Sequence, residues 1–393
     1  MIYIDNSATT RLDEEVLEAM MPYLREEYGN AGSKFYSLAK RAKTAVEEAR
    51  EQVARLINAE PREIIFTASG SESNNFIIKG MADYLRHYEG VGNHLITSAV
   101  EHKSVSNVYR FLAGEIFMNK EIKDGPGGQM KKIDRGYEVD FLKVNDYGQV
   151  ELEEARRAIK DNTILASFIW ANNETGSLND IEGLAEVYRE RGIFVHSDAT
   201  QAVGKIPVDM DRVRIDAMSF SAHKLYGPKG IGAAYLRSDG PRTRRLSSLI
   251  HGGNDQESGY RAGTAAVANI VGFGKAAELA QARLEDHARK LRGLEEEFIR
   301  ILHQKYADVI IVTDLENKLP GAVSFILPGV NNQLLVKRLA DDLALSTGSA
   351  CSVGLESAVL RELGYGQYSS NFFRVNFGKY NDQADLEKIA DLI

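Results

Sequence analysis

Residues Thr163-Ile164-Leu165-Ala166-Ser167-Phe168-Ile169-Trp170 form a nearly continuous apolar run. A strand of that kind has no face left for water, so the fold must cover it on both sides. That requirement points to a mainly parallel sheet flanked by helices. The neighbouring sequence supplies them. Ser37 to Ile57 carries Leu38, Ala42, Ala45, Val46, Ala49, Val53, Leu56 and Ile57 at helical spacing. Strands are expected over Glu63 to Thr67, His94 to Ser98 and Gly192 to Ser197. Helices are expected from about Ser73, from about Ser104 and over Leu178 to Arg191. Strand and helix alternate in this way from about residue 45 to 240, which defines an α/β fold.

Two segments leave this rhythm. Within residues 117–138, Lys123-Asp124-Gly125-Pro126-Gly127-Gly128-Gln129 is turn-rich and flanked by lysines, and reads as an exposed insertion or hairpin. Further on, a long charged helix, Gly274 to Lys305, leads into a segment with strands of its own, among them Ala322 to Leu327. That part reads as a second, smaller α+β domain.

At 393 residues the chain has room for two or three domains, and its 44% hydrophobic content supports a sizeable core. A formal net charge of −8 argues against a protein that holds nucleic acid by bulk charge, and no direct nucleic-acid binding is expected. The single cysteine permits no intrachain disulfide. Met1-Ile2-Tyr3-Ile4-Asp5 has neither a basic n-region nor an apolar h-region, and no apolar run approaches the ~20 residues of a membrane helix. The expectation is a cytoplasmic protein without a signal peptide or a membrane span.

In an open α/β sheet, functional residues collect outside the carboxyl ends of the strands. Ser69 to Ser71, Glu101-His102, Asn172-Asn173, Asp198 and Ser221 to Lys224 each follow an expected strand. The last two carry the strongest signal. Lys224 closes Ser219-Phe220-Ser221-Ala222-His223-Lys224, 26 residues after Asp198. A lysine held in such a pocket becomes a usable amine, able to condense with the aldehyde of pyridoxal phosphate. A carboxylate on the pyridine nitrogen keeps that ring able to accept electrons. Alone, Lys224 would be a solvated amine and Asp198 a helix N-cap; together they favour the cofactor. Gln201 lies one turn after Asp198, within reach of the phenolic oxygen region.

Ala68-Ser69-Gly70-Ser71-Glu72 is a strand-to-helix turn of small residues, either an ordinary capped start or an anion site. It lacks the G-x-G-x-x-G spacing of a dinucleotide site. His102 would be a satisfied core histidine in isolation; in a pyridoxal phosphate site its imidazole stacks on the ring and can shuttle protons. Cys351 sits in Gly348-Ser349-Ala350-Cys351-Ser352 among small polar residues, which suits an accessible thiolate more than a buried thiol. Metal ligation is not expected, because there is one cysteine and the eight histidines show no ligand spacing. Arg374, in Phe372-Phe373-Arg374-Val375, needs a carboxylate partner, either structural or that of a substrate.

These residues resemble the cysteine desulfurases, in the class V aminotransferase branch of the fold-type I pyridoxal phosphate enzymes. The resemblance runs almost end to end: Asp5-Asn6-Ser7-Ala8-Thr9-Thr10, Ser71-Glu72-Ser73-Asn74-Asn75, Glu101-His102, Asn172-Asn173-Glu174-Thr175-Gly176, Asp198-Ala199-Thr200-Gln201, Ser221-Ala222-His223-Lys224, Arg261-Ala262-Gly263-Thr264, Gly348-Ser349-Ala350-Cys351 and Arg374. It implies a large domain over 15–262 with a seven-stranded sheet, and a smaller domain from 1–14 and 263–393 that carries the Cys351 loop. It implies that Lys224 bonds the cofactor, Asp198 pairs with the pyridine nitrogen and His102 stacks on the ring. Gln201 and Asn173 would contact the ring substituent or the substrate. Gly70, Ser71, Ser221 and His223 would hold the phosphate, with Thr264 reaching in from the second subunit of a homodimer. Arg374 would hold the carboxylate of L-cysteine, and Cys351 would take its sulfur as a persulfide. The sulfur would then pass to an acceptor in iron–sulfur cluster assembly, tRNA thiolation or DNA sulfur modification. The same residues would also suit a selenocysteine lyase or a class V aminotransferase, and a cofactor-free scaffold is the non-enzymatic alternative.

The sequence departs from the family pattern at Asn30-Ala31-Gly32-Ser33-Lys34-Phe35, where a histidine is usual. It departs again in the long 117–138 segment, near His251 to Glu257, and in a slightly shorter loop after Cys351. These changes bear on the acceptor surface more than on the cofactor set.

Overall fold

The computed structural model describes residues 1–115, 133–240, 245–253, 256–348 and 357–392. After a two-residue strand β1 (Ile2–Tyr3), seven strands form the principal sheet: β2 (Ile64–Thr67), β3 (His94–Ser98), β4 (Glu138–Leu142), β5 (Thr163–Ile169), β6 (Phe194–Asp198), β7 (Ala217–Ser221) and β8 (Gly232–Leu236). Their order across the sheet is β2-β8-β7-β6-β5-β3-β4. The pairings of β3 with β4 and β5, β5 with β6, and β6 with β7 are parallel, while β8 is antiparallel to both its neighbours. The linker explains the exception: only the ten residues 222–231 join β7 to β8, too few for a parallel crossover of a dozen or more.

The apolar run at 163–170 is the strand β5, buried throughout. Ala166 and Phe168 join one core layer, Ile164 and Leu165 the other. The sheet is thus covered on both faces, and the mainly parallel α/β architecture expected from the sequence is present.

Boundaries differ where side chains intercept the backbone. The helix expected from Leu178 starts at Ile181, because Asp180 caps it by accepting from Gly183 N at 2.9 Å. Leu178 instead bridges to Ala171. The helix expected from about Ser73 starts at Gly70, with Ser69 as its cap. Residues 116–132 of the expected insertion lie outside the described residues. Its described end packs back on the domain: the Arg135 guanidinium lies 3.8 Å from the Phe111 ring centroid, and Glu138 opens β4.

A second sheet contains β9 (Ile310–Ile311), β10 (Ala322–Ile326) and β12 (Phe372–Asn376) in antiparallel pairing, and β11 (Leu343–Ala344) pairs with β1. The helix Val267–Lys305, 39 residues long, joins the two layers. Ile270, Phe273, Ala276 and Ala277 belong to the core of the principal sheet, and Leu294, Phe298 and Leu302 to the core of the second. The N-terminal segment closes the junction. Asn6 Nδ2 donates to Asn376 O at 2.8 Å, and Thr10 N donates to His223 O at 3.0 Å, so β12 and the Lys224 loop share one strap. No helix among the described residues is long and apolar enough to cross a membrane.

Candidate active site

At the carboxyl ends of β3, β5, β6 and β7 lies a cavity of about 750 Å³. Gly70, Ser71, His102, Asn173, Asp198, Gln201, Ser221, His223, Lys224 and Arg374 all line it, so side chains spread over 305 residues of sequence converge on one space. Thr264 does not; it is exposed on the surface, outside the cavity of its own chain. Cys351 lies outside the described residues.

The sheet register accounts for the floor. Ile169 pairs with Asp198 and Asp198 with Ser219, so the last residues of β5 and β6 sit side by side. Asp198 is 2% exposed. Its Oδ1 accepts from Thr200 N at 3.0 Å and its Oδ2 from Asn74 Nδ2 at 2.7 Å. Asn74 also donates to Ser104 Oγ at 2.8 Å, and Ser104 Oγ lies 2.7 Å from His102 Nδ1. Ser104 N–H points at the same Nδ1 at 3.2 Å. That nitrogen is an acceptor, which places the imidazole proton on Nε2. Burial pulls the His102 pKa below its usual value, with Asp198 acting in the opposite sense.

Lys224 is 9% exposed, and its Nζ donates to Ser7 O and to Ala8 O, the latter at 2.6 Å. Gln201 Nε2 donates to the same Ser7 carbonyl at 2.9 Å, while its Oε1 accepts from Lys205 Nζ at 2.7 Å. Lys205, half-buried, was not singled out from the sequence. Burial, followed by the positive charges of Lys224 and Arg374, lowers its pKa to about 7.

On one side, the helix Gly70–Asp83 presents its first turn to the cavity, where free N–H groups and the helix dipole favour an anion. Close approach is possible because Gly70 has no side chain. A Cβ there would lie 2.8 Å from Thr200 Oγ1. Gly232 serves the same turn from below: a Cβ on it would meet Ser69 C at 2.5 Å and Gly70 N at 2.8 Å. His223, with Nδ1 3.1 Å from Thr9 Oγ1, completes this side; burial and then Lys224 push its pKa down to about 4.

On the other side, Arg374 donates to Asp5 Oδ1 at 2.6 Å, Asn173 O at 2.9 Å and Ser346 Oγ at 3.2 Å. Its Nε is buried without a partner. Glu174 also lines the cavity, taking the Ser357 hydroxyl at 2.6 Å, and burial raises its pKa. Glu174, which lines the cavity, and Asn74 and Lys205, which hold lining residues in place, were not singled out from the sequence, whereas Glu101 was named with His102 as a strand-tip residue but given no role. Asn74 and Glu174 stood inside quoted motifs, but nothing in their spacing shows what their side chains touch.

At the far edge of the sheet, His94, Glu138 and Asp140 come within 4.8 Å of one another. Lys160 Nζ sits 2.6 Å from Glu138 and 2.8 Å from Asp140, so an ammonium already supplies the positive charge there.

The profile of the class V aminotransferase family matches residues 2–119 and 128–389. The chain belongs to this family, on its cysteine desulfurase branch. Residues 120–127, within the expected insertion, fall in the unmatched gap. A cysteine desulfurase, IscS, of Neisseria meningitidis serogroup A / serotype 4A is 40% identical over 395 aligned positions, covering 100% of this chain and 91% of the relative. A solved NifS-like protein superposes with a TM-score of 0.86 at 32% identity, covering 99% of this chain and 97% of the other. A structure described as SspA in complex with cysteine superposes with a TM-score of 0.78 at 31% identity, covering 97% and 100%. The class V fold, with a mostly parallel seven-stranded sheet flanked by helices, agrees with the sequence reading.

Proposed function

We propose that this class V enzyme binds pyridoxal phosphate, converts L-cysteine to L-alanine, and takes the sulfur on Cys351 as a persulfide for transfer to an acceptor. The observation that carries the reading is the convergence of Lys224, Asp198 and His102 on one cavity that is also lined by the start of the Gly70–Asp83 helix and by a buried arginine. The residues fit the cofactor. The Gly70 cradle, with Ser71, Ser221 and His223, would take a phosphate. Asp198 would face the pyridine nitrogen, His102 would cover the ring, and Lys224 would bond its aldehyde. Arg374 Nε, buried and unpartnered, supports a role for the guanidinium in meeting the substrate carboxylate.

Pyridoxal phosphate, when bound, supplies an electron sink for the pair released at the substrate Cα. The chain's own groups do the rest. Lys224 Nζ, buried in the cavity, would be the base that takes the substrate α-proton. Lys205 holds Gln201 Oε1, which leaves Nε2 turned to the Ser7 carbonyl, and this amide would be the donor to the cofactor's ring oxygen. Cys351 thiolate forms a bond to the substrate sulfur as the substrate Cβ–S bond breaks. Cβ gains a proton and L-alanine leaves, so the sulfur balance closes on the enzyme without an external oxidant.

The protein would act as a homodimer, with Thr264 serving the partner's phosphate site. Residues 15–262 would form the cofactor domain, with 1–14 and 263–393 as the smaller domain. The similar SspA structure, described as a complex with cysteine, supports cysteine as the substrate class. The test is Cys351→Ser: the expected protein keeps the cofactor absorbance and releases no sulfide with cysteine and reductant. Wild-type sulfide release would overturn the role of Cys351. Alanine formation without any keto-acid acceptor separates this reading from transamination. Labelled sulfur followed from cysteine into a cell extract identifies the acceptor.

A further inference from the structure

Glu101 precedes His102 and lines the same cavity. It is 7% exposed. Its Oε1 accepts the Ser98 hydroxyl at 2.5 Å and the Ile169 N–H at 2.9 Å. Ser98 ends β3 and Ile169 ends β5, neighbouring strands in the sheet. One carboxyl oxygen therefore ties two strand tips together beneath the turn that carries His102. The other oxygen, Oε2, is buried without a hydrogen-bond partner.

We propose that Glu101 is a positioning residue for this site: it holds the Ser98–His102 turn against β5 as a hydrogen-bonded acid, and leaves Asp198 without a competing negative charge below the cavity. The inference rests on the pyridoxal phosphate reading of that cavity, though its first two tests do not. The geometry favours an uncharged group. A carboxylate with a bare oxygen in the interior would carry an uncompensated charge, and such groups are paired or neutralised. The largest influences on it include no positive charge. Asp198 opposes ionisation through like charge, Tyr109, with its hydroxyl buried, is a second titratable neighbour, and His102, whose pKa burial pulls down, is the next residue along the chain. Burial is the largest influence and pushes the Glu101 pKa up to about 8, against the pull of Ser98 and Ile169.

Two carboxyl groups in one site then have separate tasks, set by their surroundings. Asp198 accepts two N–H bonds and is placed for the cofactor nitrogen. Glu101 accepts one O–H and one N–H on the same oxygen and fixes the turn.

The first test uses the cofactor-free full chain. A folded-state pKa raised from 4.5 to about 8 means the native protein binds the extra proton between those values, so stability falls as pH rises through that window. Glu101→Gln should remove this contribution, and its urea midpoint should fall less with pH than that of the wild type. Parallel midpoint curves would overturn the uncharged assignment. Infrared spectra of the wild type at neutral pH should contain a carboxylic-acid carbonyl band that is lost in Glu101→Gln; an unchanged spectrum would also overturn it. In the cofactor-loaded enzyme, Glu101→Ala should lower turnover on the order of tenfold to a hundredfold through misplacement of His102, and Glu101→Gln should recover most of it. Equal defects in both variants, or none in Glu101→Ala, would refute the positioning role.

Discussion

Asn74 Nδ2 donates to Asp198 Oδ2 at 2.7 Å across 124 residues of sequence. The same amide reaches Ser104 Oγ, which in turn touches His102 Nδ1, so Asp198 and His102 are linked through one side chain. Asn74→Ala removes a hydrogen bond to a charged acceptor, an interaction of about 2 kcal/mol. The cofactor dissociation constant should rise roughly thirtyfold, measured by absorbance titration. Unchanged affinity would show that Asp198 is held without Asn74.

Lys205 gives the site a second amine. Its folded-state pKa of about 7 lies below the ordinary value of 10.5, so between these values the unfolded chain binds the extra proton. Stability from this group therefore rises with pH from about 7 toward 10.5. In Lys205→Met the rise should disappear, and the difference in unfolding midpoint between variant and wild type should shrink as pH increases. A difference independent of pH would mean that the amine is not held in a low-pKa setting. Gln201 would also lose the partner of its Oε1, so a weaker cofactor contact should accompany the change.

The sheet was legible because its strands carry their own signal: the run at 163–169 has no polar face, and the polar residues after it must be tips. Asp198 and Lys224 were legible because their chemistry is unusual at a strand end. Asn74 and Lys205 were not, because an asparagine in a helix and a lysine after a turn have many ordinary roles. Only the packing of the Gly70–Asp83 helix against the strand ends turns Asn74 toward Asp198. Two helix starts were missed by a few residues where a cap decided the matter, at Asp180 and at Ser69.

The structural role of Arg374 and its proposed role at the substrate carboxylate separate by substitution. The Asp5 ion pair ties β12 to the N-terminal strap, with the arginine 4% and the aspartate 19% exposed at their side chains. Arg374→Ala breaks a largely buried pair and should cost about 3 kcal/mol of stability as well as substrate binding. Arg374→Lys keeps the charge and loses the planar fork. It should fold with a smaller loss and raise KM for cysteine on the order of a hundredfold, with a smaller change in kcat. An unaltered KM would remove Arg374 from the substrate site and leave it a structural residue.

Gly70 tests the anion cradle without touching a charged group. A methyl at this position would lie 2.8 Å from Thr200 Oγ1 and 3.7 Å from Ser221 Cβ. The Thr200 side chain must turn away, and the space for an anion at the helix start narrows. The fold should tolerate the change, because Gly70 is in the first turn of a helix, where alanine is favoured over glycine by up to about 1 kcal/mol. Gly70→Ala should therefore keep its thermal midpoint and weaken pyridoxal phosphate binding about tenfold, with a parallel loss of protection by inorganic phosphate. Pyridoxal without its phosphate should bind wild type and variant alike, which isolates the effect to the phosphate. Equal phosphate protection in the two proteins would place the anion away from this turn, and the argument from helix geometry would fail there.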